Sequence, residues 1–228
     1  MVKQSIVPAI IPDDRTMLTK RLEAVRGVVR TVQVDVMDGS YTATCSWPYE
    51  GVARDMFMER RTEDAGLPLW QELDLEIDCM VREPSAHVES WVLAGASRIV
   101  LHVESAASLT EAIGRCQASR VEVALAVKPS TKLDVLEPYL DQAVFVQCMG
   151  SDTLGRHGVG LDPAAVEQVR AIKARWPDVL IGVDIGVNTS TIRDLYDAGA
   201  RRFAAGSAVF RSASIPQAIQ SLEACLPV

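Results

Sequence analysis

The chain has 228 residues, 48% hydrophobic and 23% charged, and its 30 acidic against 23 basic side chains leave a net charge of −7. That composition can fill one sizeable core, and the acidic balance argues against a nucleic-acid or anionic-membrane surface, which needs a basic stripe. A small anionic ligand is not excluded, because backbone dipoles bind phosphate even inside an acidic protein.

In chain order, short β-branched runs predict strands over 5–10, 28–36, 73–81, 98–103, 121–127, 143–148, 179–184 and 201–205. Between them, helical periodicity covers 17–25, 87–94, 163–176 and 191–198. Asp162 ahead of Pro163 is a cap followed by a first-turn proline, and Thr189 or Ser190 caps the seventh helix. Gly95 and Gly199 stand where helices should stop. Strand–helix units of about 28 residues predict a closed (β/α)8 TIM barrel of the α/β class, as a single domain over 1–228. No linker, charge block or low-complexity stretch divides the chain.

The long connection from Asp38 to Arg54 reads as a lid over the barrel mouth, with Trp47 and Tyr49 able to close over a ligand or to meet another subunit. Cys45, Cys79, Cys116, Cys148 and Cys225 follow no pairing pattern, which reads as reduced thiols. The N-terminus runs almost directly into a strand, and no apolar run approaches the roughly 20 residues of a membrane helix. Those signs predict a cytoplasmic protein without membrane or nucleic-acid partners.

Strand side chains alternate between the helix layer and the barrel interior. Val32, Val34 and Val36 belong outside, which turns Gln33, Asp35 and Met37 inward. Leu75, Ile77 and Cys79 likewise turn Glu76, Asp78 and Met80 inward. The same reading puts His102, Glu104, Lys128, Gln147, Gly182 and Asp184 on the inward or mouth-facing register. Unpaired carboxylates inside a packed core cost several kcal/mol, so three aspartates converging at the C-terminal rim predict a site. His102 is a modest member of it, His157 is either ligand-facing or exposed, and His87 is expected on the surface.

Several segments carry a family resemblance. Pro8-Ala9-Ile10-Ile11, Val34-Asp35-Val36-Met37-Asp38-Gly39, Met80-Val81-Arg82-Glu83-Pro84 and Leu101-His102-Val103-Glu104 are followed by Lys128-Pro129-Ser130-Thr131, Val183-Asp184-Ile185-Gly186-Val187-Asn188 and Ala205-Gly206-Ser207-Ala208-Val209-Phe210. In that order they resemble the signature segments of the ribulose-phosphate 3-epimerase family. The resemblance implies a divalent metal held by two His and two Asp, with the two Asp also moving protons at C3 of a ketose phosphate. The Asp positions are kept as Asp35 and Asp184, but Gln33 and Asp78 stand where the histidines belong. Ala9 replaces a serine, and Lys128 an asparagine. The resemblance also implies a phosphate grip at Gly186, Gly206 and Ser207. Gly155-Arg156-His157-Gly158-Val159 stands for a glycine-rich loop, and there Arg156 supplies a bidentate contact beside Gly158.

Three readings follow. In the first, the chain is an epimerase-like isomerase with Asp35 and Asp184 as acid and base. Gln33, Asp35, Asp78 and Asp184 then hold a metal, Mg2+ or Mn2+ rather than Zn2+, and Met37, Met80, His102 and Gln147 line the substrate pocket. In the second, a metal-free isomerase or a lyase of the aldolase kind uses Lys128 as a catalytic group, coupled to Asp78 or Asp35 as an ion pair. In the third, the chain binds a sugar phosphate without catalysis. A homo-oligomer is expected in each.

Overall fold

Alternation along each strand has one physical outcome if the strands are parallel and closed: one face packs under helices and the other fills a barrel. The computed structural model describes residues 5–50, 66–156 and 158–227. Its strands are β1 (Ser5–Ile10), β2 (Thr31–Met37), β3 (Asp74–Met80), β4 (Arg98–His102), β5 (Glu122–Val127), β6 (Val146–Met149), β7 (Ile181–Asp184) and β8 (Arg202–Ala205). They close in sequence order into one barrel, each pairing parallel with the next, and β8 pairs back onto β1. The expected architecture is therefore present.

Around the barrel run α1 (Arg15–Val25), α2 (Ser85–Leu93), α3 (Leu109–Ala118), α4 (Pro163–Arg175), α5 (Ile192–Ala198), α6 (Ser207–Phe210) and α7 (Ile215–Ala224). Between β5 and β6 the segment Leu133–Gln142 winds as 3₁₀ turns around Pro138, which has no N–H to continue an α-helix. The expected cap at Asp162 is present, its carboxylate accepting from the Ala164 N–H at 2.9 Å. The expected cap at Thr189 or Ser190 is not: the cap position of α5 is Thr191, whose hydroxyl donates to the Gly186 carbonyl. Strand β2 also starts later than expected. Val28 and Val29 bond back to the Val25 carbonyl around Gly27, whose φ of +75° turns the chain out of α1.

The interior and helix-layer residues separate as the alternation requires. Val32, Val34, Val36, Leu75, Ile77, Leu101, Val123 and Leu125 pack in the large outer core. Met37, Met80, Val100, Ala124, Ala126, Phe145 and Met149 fill the barrel. At its N-terminal end the barrel is stoppered by a charge cluster. Glu76 Oε2 accepts from Arg98 at 2.7 Å and from Arg202 at 2.8 Å, and both guanidiniums lie over the Phe145 ring.

Two expectations fail here. Trp47 and Tyr49 do not stand over the mouth. The Trp47 N–H donates to the Pro12 carbonyl and its ring packs on the outer core, while Tyr49 is buried and accepts from Trp91 Nε1 at 2.9 Å. Burying that hydroxyl is tolerated because it has a partner. His87 is buried too, edge-on to the Tyr49 ring at 5.0 Å, because this side of α2 faces the 38–50 connection rather than solvent. The far end of that connection at Arg54, and His157, lie outside the described residues. Among the described residues no helix is long and apolar enough to cross a membrane, and all five cysteines are free, Cys79, Cys116 and Cys148 being buried.

Candidate active site

Strands β2, β3 and β7 each deliver one carboxylate to the upper part of the barrel, because Asp35, Asp78 and Asp184 sit on the inward register. Oxygens of the three lie within 4.8 Å of one another. Such a cluster repels itself, and burial makes the charged forms worse. Burial, then the charges of Asp184 and Asp78, hold the Asp35 carboxyl well above its usual range. Burial first, and Asp78 next, push Asp184 up to about 7.

Three side chains relieve the crowding. The Gln33 amide donates to Asp35 Oδ1 at 2.8 Å and to Asp184 Oδ2 at 3.1 Å, bridging the two. Asp78 is held separately, by His102 Nε2 at 2.8 Å on one oxygen and by Gln147 Nε2 at 3.3 Å on the other. Of this group only Asp35 and Asp184 reach the wall of the cavity at the mouth; Asp78, Gln33, His102 and Gln147 are buried and do not line it. The expected pocket residues divide in the same way: Met80 lines the cavity, and Met37 is covered by Thr44, whose hydroxyl lies 3.3 Å from its sulfur.

This cavity has a volume of about 420 Å³ and joins Asp35 and Asp184 to the rim formed after β6, β7 and β8. Arg156, Gly158, Gly186, Gly206 and Ser207 all line it, and so does Arg211. Gly186 is needed for its backbone: its φ is +76°, and a Cβ there would lie 2.6 Å from the Leu161 nitrogen. Ile185, with the same φ of +76°, is a β-branched residue in the left-handed region, a strained turn directly after Asp184. Arg211 has no signature in the sequence; it falls after the last recognisable motif, and only the fold brings it opposite Gly158. Among the described residues neither the Arg156 nor the Arg211 guanidinium has an ion-pair or hydrogen-bond partner.

Lys128 lies elsewhere. Its ammonium stands 4.4 Å from the centre of the Tyr41 ring, in a second cavity of about 290 Å³ shared with Asp152 and Arg156. Its backbone is fixed on both sides, the N–H donating to Glu104 Oε1 at 2.7 Å and the carbonyl accepting from Gln168 at 2.7 Å. Glu104 also accepts from the Tyr41 and Thr131 hydroxyls, so the ring under the ammonium is pinned. Burial and Glu104 raise the Tyr41 phenol above its usual range. The expected ion pair between Lys128 and Asp78 or Asp35 is not formed; the physical reason is that His102, Gln147 and Gln33 already satisfy those carboxylates.

The cluster fits a hard divalent cation. Its donors are carboxylate oxygens, and the Gln33 Oε1, wholly buried, has no hydrogen-bond partner. Asp35, Asp78, Asp184 and Gln33 are the residues able to hold it.

A closed parallel barrel with carboxylates at the C-terminal ends of β2 and β7 and a glycine- and arginine-lined rim beyond them is the layout of a barrel enzyme that works on small anionic molecules. The Ribulose-phosphate 3 epimerase family profile matches residues 5–210, and the chain belongs to that family of carbohydrate-phosphate epimerases. Ribulose-phosphate 3-epimerase of Schizosaccharomyces pombe is 27% identical over 226 residues, covering 97% of this chain and 93% of the yeast protein. That of Synechocystis sp. is 29% identical over 221 residues, covering 94% and 90%. The crystal structure of a 3-hexulose-6-phosphate synthase shares the fold at 17% identity, with a TM-score of 0.69 over 98% of this chain and 100% of that one.

Proposed function

We propose that the chain interconverts the C3 epimers of a ketose phosphate, with Asp35 and Asp184 as the acid–base pair. The observation that carries this reading is that both carboxylates share one cavity with Arg156, Arg211, Gly186, Gly206 and Ser207. A sugar phosphate spanning that cavity has its anion at the rim and its carbon chain between the carboxylates. Burial and the charge of the neighbouring aspartates raise both carboxyls, which favours sharing a proton between them over ionising both. That is the state epimerisation needs. One aspartate, ionised, takes the proton from C3, and the other, protonated, returns one to the opposite face. The pair ends with its roles exchanged, ready for the reverse reaction. The Gln33 amide keeps the two groups in register.

Mg2+ or Mn2+ suits the oxygen donors of Asp35, Asp78, Asp184 and Gln33 better than Zn2+, and when bound it supplies Lewis-acid stabilisation of negative charge on a substrate oxygen. Arg156 and Arg211 grip the phosphate by charge-assisted hydrogen bonds, with backbone N–H groups of the glycine turns beside them. Lys128 enters as a cation of the neighbouring cavity, which it shares with Arg156, and not as a Schiff-base former. A homo-oligomer is supported by Trp70 and Leu93, which stand exposed near Gly95 on the helix layer.

The test is exchange at C3. Ribulose phosphate incubated with the protein in D2O should acquire deuterium at C3 and yield its epimer, followed by proton NMR. Asp35→Asn and Asp184→Asn should each abolish both. Full exchange in either variant would remove the assignment, and binding without exchange in the unaltered protein would favour a non-catalytic sugar-phosphate-binding role.

A further inference from the structure

Two buried oxygens at the bottom of the acidic cluster have no hydrogen-bond partner, Gln33 Oε1 and Glu76 Oε1. They are neighbours. Gln33 and Glu76 are register partners on β2 and β3, both inward, and both line one interior gap that has no room for a water molecule. Gln147 and Arg202 also line it, with nitrogens committed to Asp78 and to the other Glu76 oxygen, and Arg98 Nε is a buried donor that pairs with neither orphaned oxygen. The Gln33 amide nitrogen points the other way, toward Asp35 and Asp184.

We propose that Gln33 is a two-position group whose orientation reports whether the acidic cluster holds a divalent cation, with Glu76 as the positioning residue for the cation-bound form. This rests on the oxygen-liganded cation of the proposed function. The two ends of a carboxamide are nearly the same shape, so a half turn exchanges donor for acceptor without moving a neighbour. With no cation, the NH2 group bridges the two aspartates, and both oxygens below are left without donors. With a cation, the amide oxygen faces the aspartates and the NH2 group faces Glu76 Oε1, so each orphaned oxygen acquires a partner in one movement.

The distances agree. The amide nitrogen lies 2.8 and 3.1 Å from the two carboxylates. Adjacent oxygen ligands of a small divalent ion at its usual bond length are about 3 Å apart. Glu76 is fixed for its part because Arg98 and Arg202 hold its other oxygen. A carboxylate behind a ligand's second hydrogen-bonding group is a common way of orienting that ligand, and its loss weakens metal binding.

The experiment is Mn2+ binding to the purified full chain, read from the EPR signal of free Mn2+, for the unaltered protein, Gln33→Met and Glu76→Gln. Alongside it runs a Mg2+ titration of the glutamine side-chain amide signals by NMR, with the Gln33 signal identified by its loss in Gln33→Met. Binding should weaken about tenfold or more in both variants, and the Gln33 amide signal should move on Mg2+ addition. A purely structural role for either residue would lower the melting temperature without changing Mn2+ affinity. Mn2+ affinity within twofold of the unaltered protein in Gln33→Met overturns the proposal. So does a Gln33 amide signal that ignores saturating Mg2+, a result available even if Glu76→Gln does not fold. Failure of the unaltered chain to bind Mn2+ at all removes the cation reading itself, and is thereby distinguished from failure of the amide turn alone.

Discussion

His102 Nε2 and Asp78 Oδ1 meet at 2.8 Å in the barrel interior, where both side chains are completely buried. Asp78 stands where the family resemblance calls for a histidine, and a histidine from the next strand comes to its side. His102→Leu should leave the buried Asp78 carboxylate half-partnered, destabilising the protein by about 3 kcal/mol in a denaturant titration. A loss below about 1 kcal/mol would mean that Gln147 and Gln33 suffice to hold the cluster.

The metal-free protein should grow less stable as pH rises. Asp184 goes from 3.8 in its ordinary state to about 7 in the fold, chiefly through burial. A carboxyl raised on folding binds its proton more tightly in the native state, so its contribution is fully present below the unfolded value and is lost as pH climbs through the folded one. Melting temperature in a chelating buffer should therefore fall between about pH 4 and pH 7, on the span of that shift. Asp184→Asn should flatten the fall. A divalent cation should oppose it by favouring the ionised form. Melting temperatures that climb over that range in chelator would contradict the raised carboxyls.

Arg211 and Gly206 should separate two halves of phosphate recognition. Arg211→Gln removes a charged donor from the cavity wall, and losing one charge-assisted hydrogen bond of about 1.5 kcal/mol raises KM about tenfold, with kcat little changed. At Gly206 a Cβ would lie 3.1 Å from the Ala9 carbonyl oxygen, close enough that a bulky side chain must shift the rim. Gly206→Val should raise the dissociation constant of sugar phosphates while thermal unfolding remains cooperative. Steady-state kinetics and calorimetric titration check both. An anion bound at the opposite, stoppered end of the barrel would contradict the placement.

Lys128→Met should leave deuterium exchange at C3 within about threefold of the unaltered protein, since the ammonium lies over Tyr41 and not among the aspartates. Borohydride added with substrate should not trap a covalent adduct. Loss of exchange by about 1,000-fold, or a trapped adduct, would restore lysine chemistry.

The sequence made the barrel readable because its strands alternate so regularly that the inward set could be named residue by residue, from Gln33 to Asp184. Strand ends were less readable. Val28 and Val29 look like strand residues but belong to the turn at Gly27, and the N–H of Val144 already bonds to β5 before the β6 ladder opens at Val146. Within the site, the acidic residues were visible by type and register, yet their partners were not. The pairing of His102 with Asp78 depends on the stagger between β3 and β4, which sets Asp78 opposite Val100. Lys128 was misplaced for a similar reason: its position at a strand end is legible, but the direction of a long flexible side chain depends on Tyr41 from another loop. Tyr49 and His87 looked like surface or lid residues until the fold brought them together.

Among the described residues, the stopper of Glu76, Arg98, Arg202 and Phe145 closes the N-terminal end of the barrel and leaves the mouth as the way in. Whatever reaches Asp35 or Asp184, whether substrate, cation or solvent proton, arrives through the C-terminal mouth, and a bound sugar closes that route behind it. A proton lifted from carbon while the mouth is filled is cut off from the bulk until the ligand leaves. Isotope from solvent should then enter only between turnovers, while the mouth is open, and tritium placed at C3 of the substrate should partly return to the sugar.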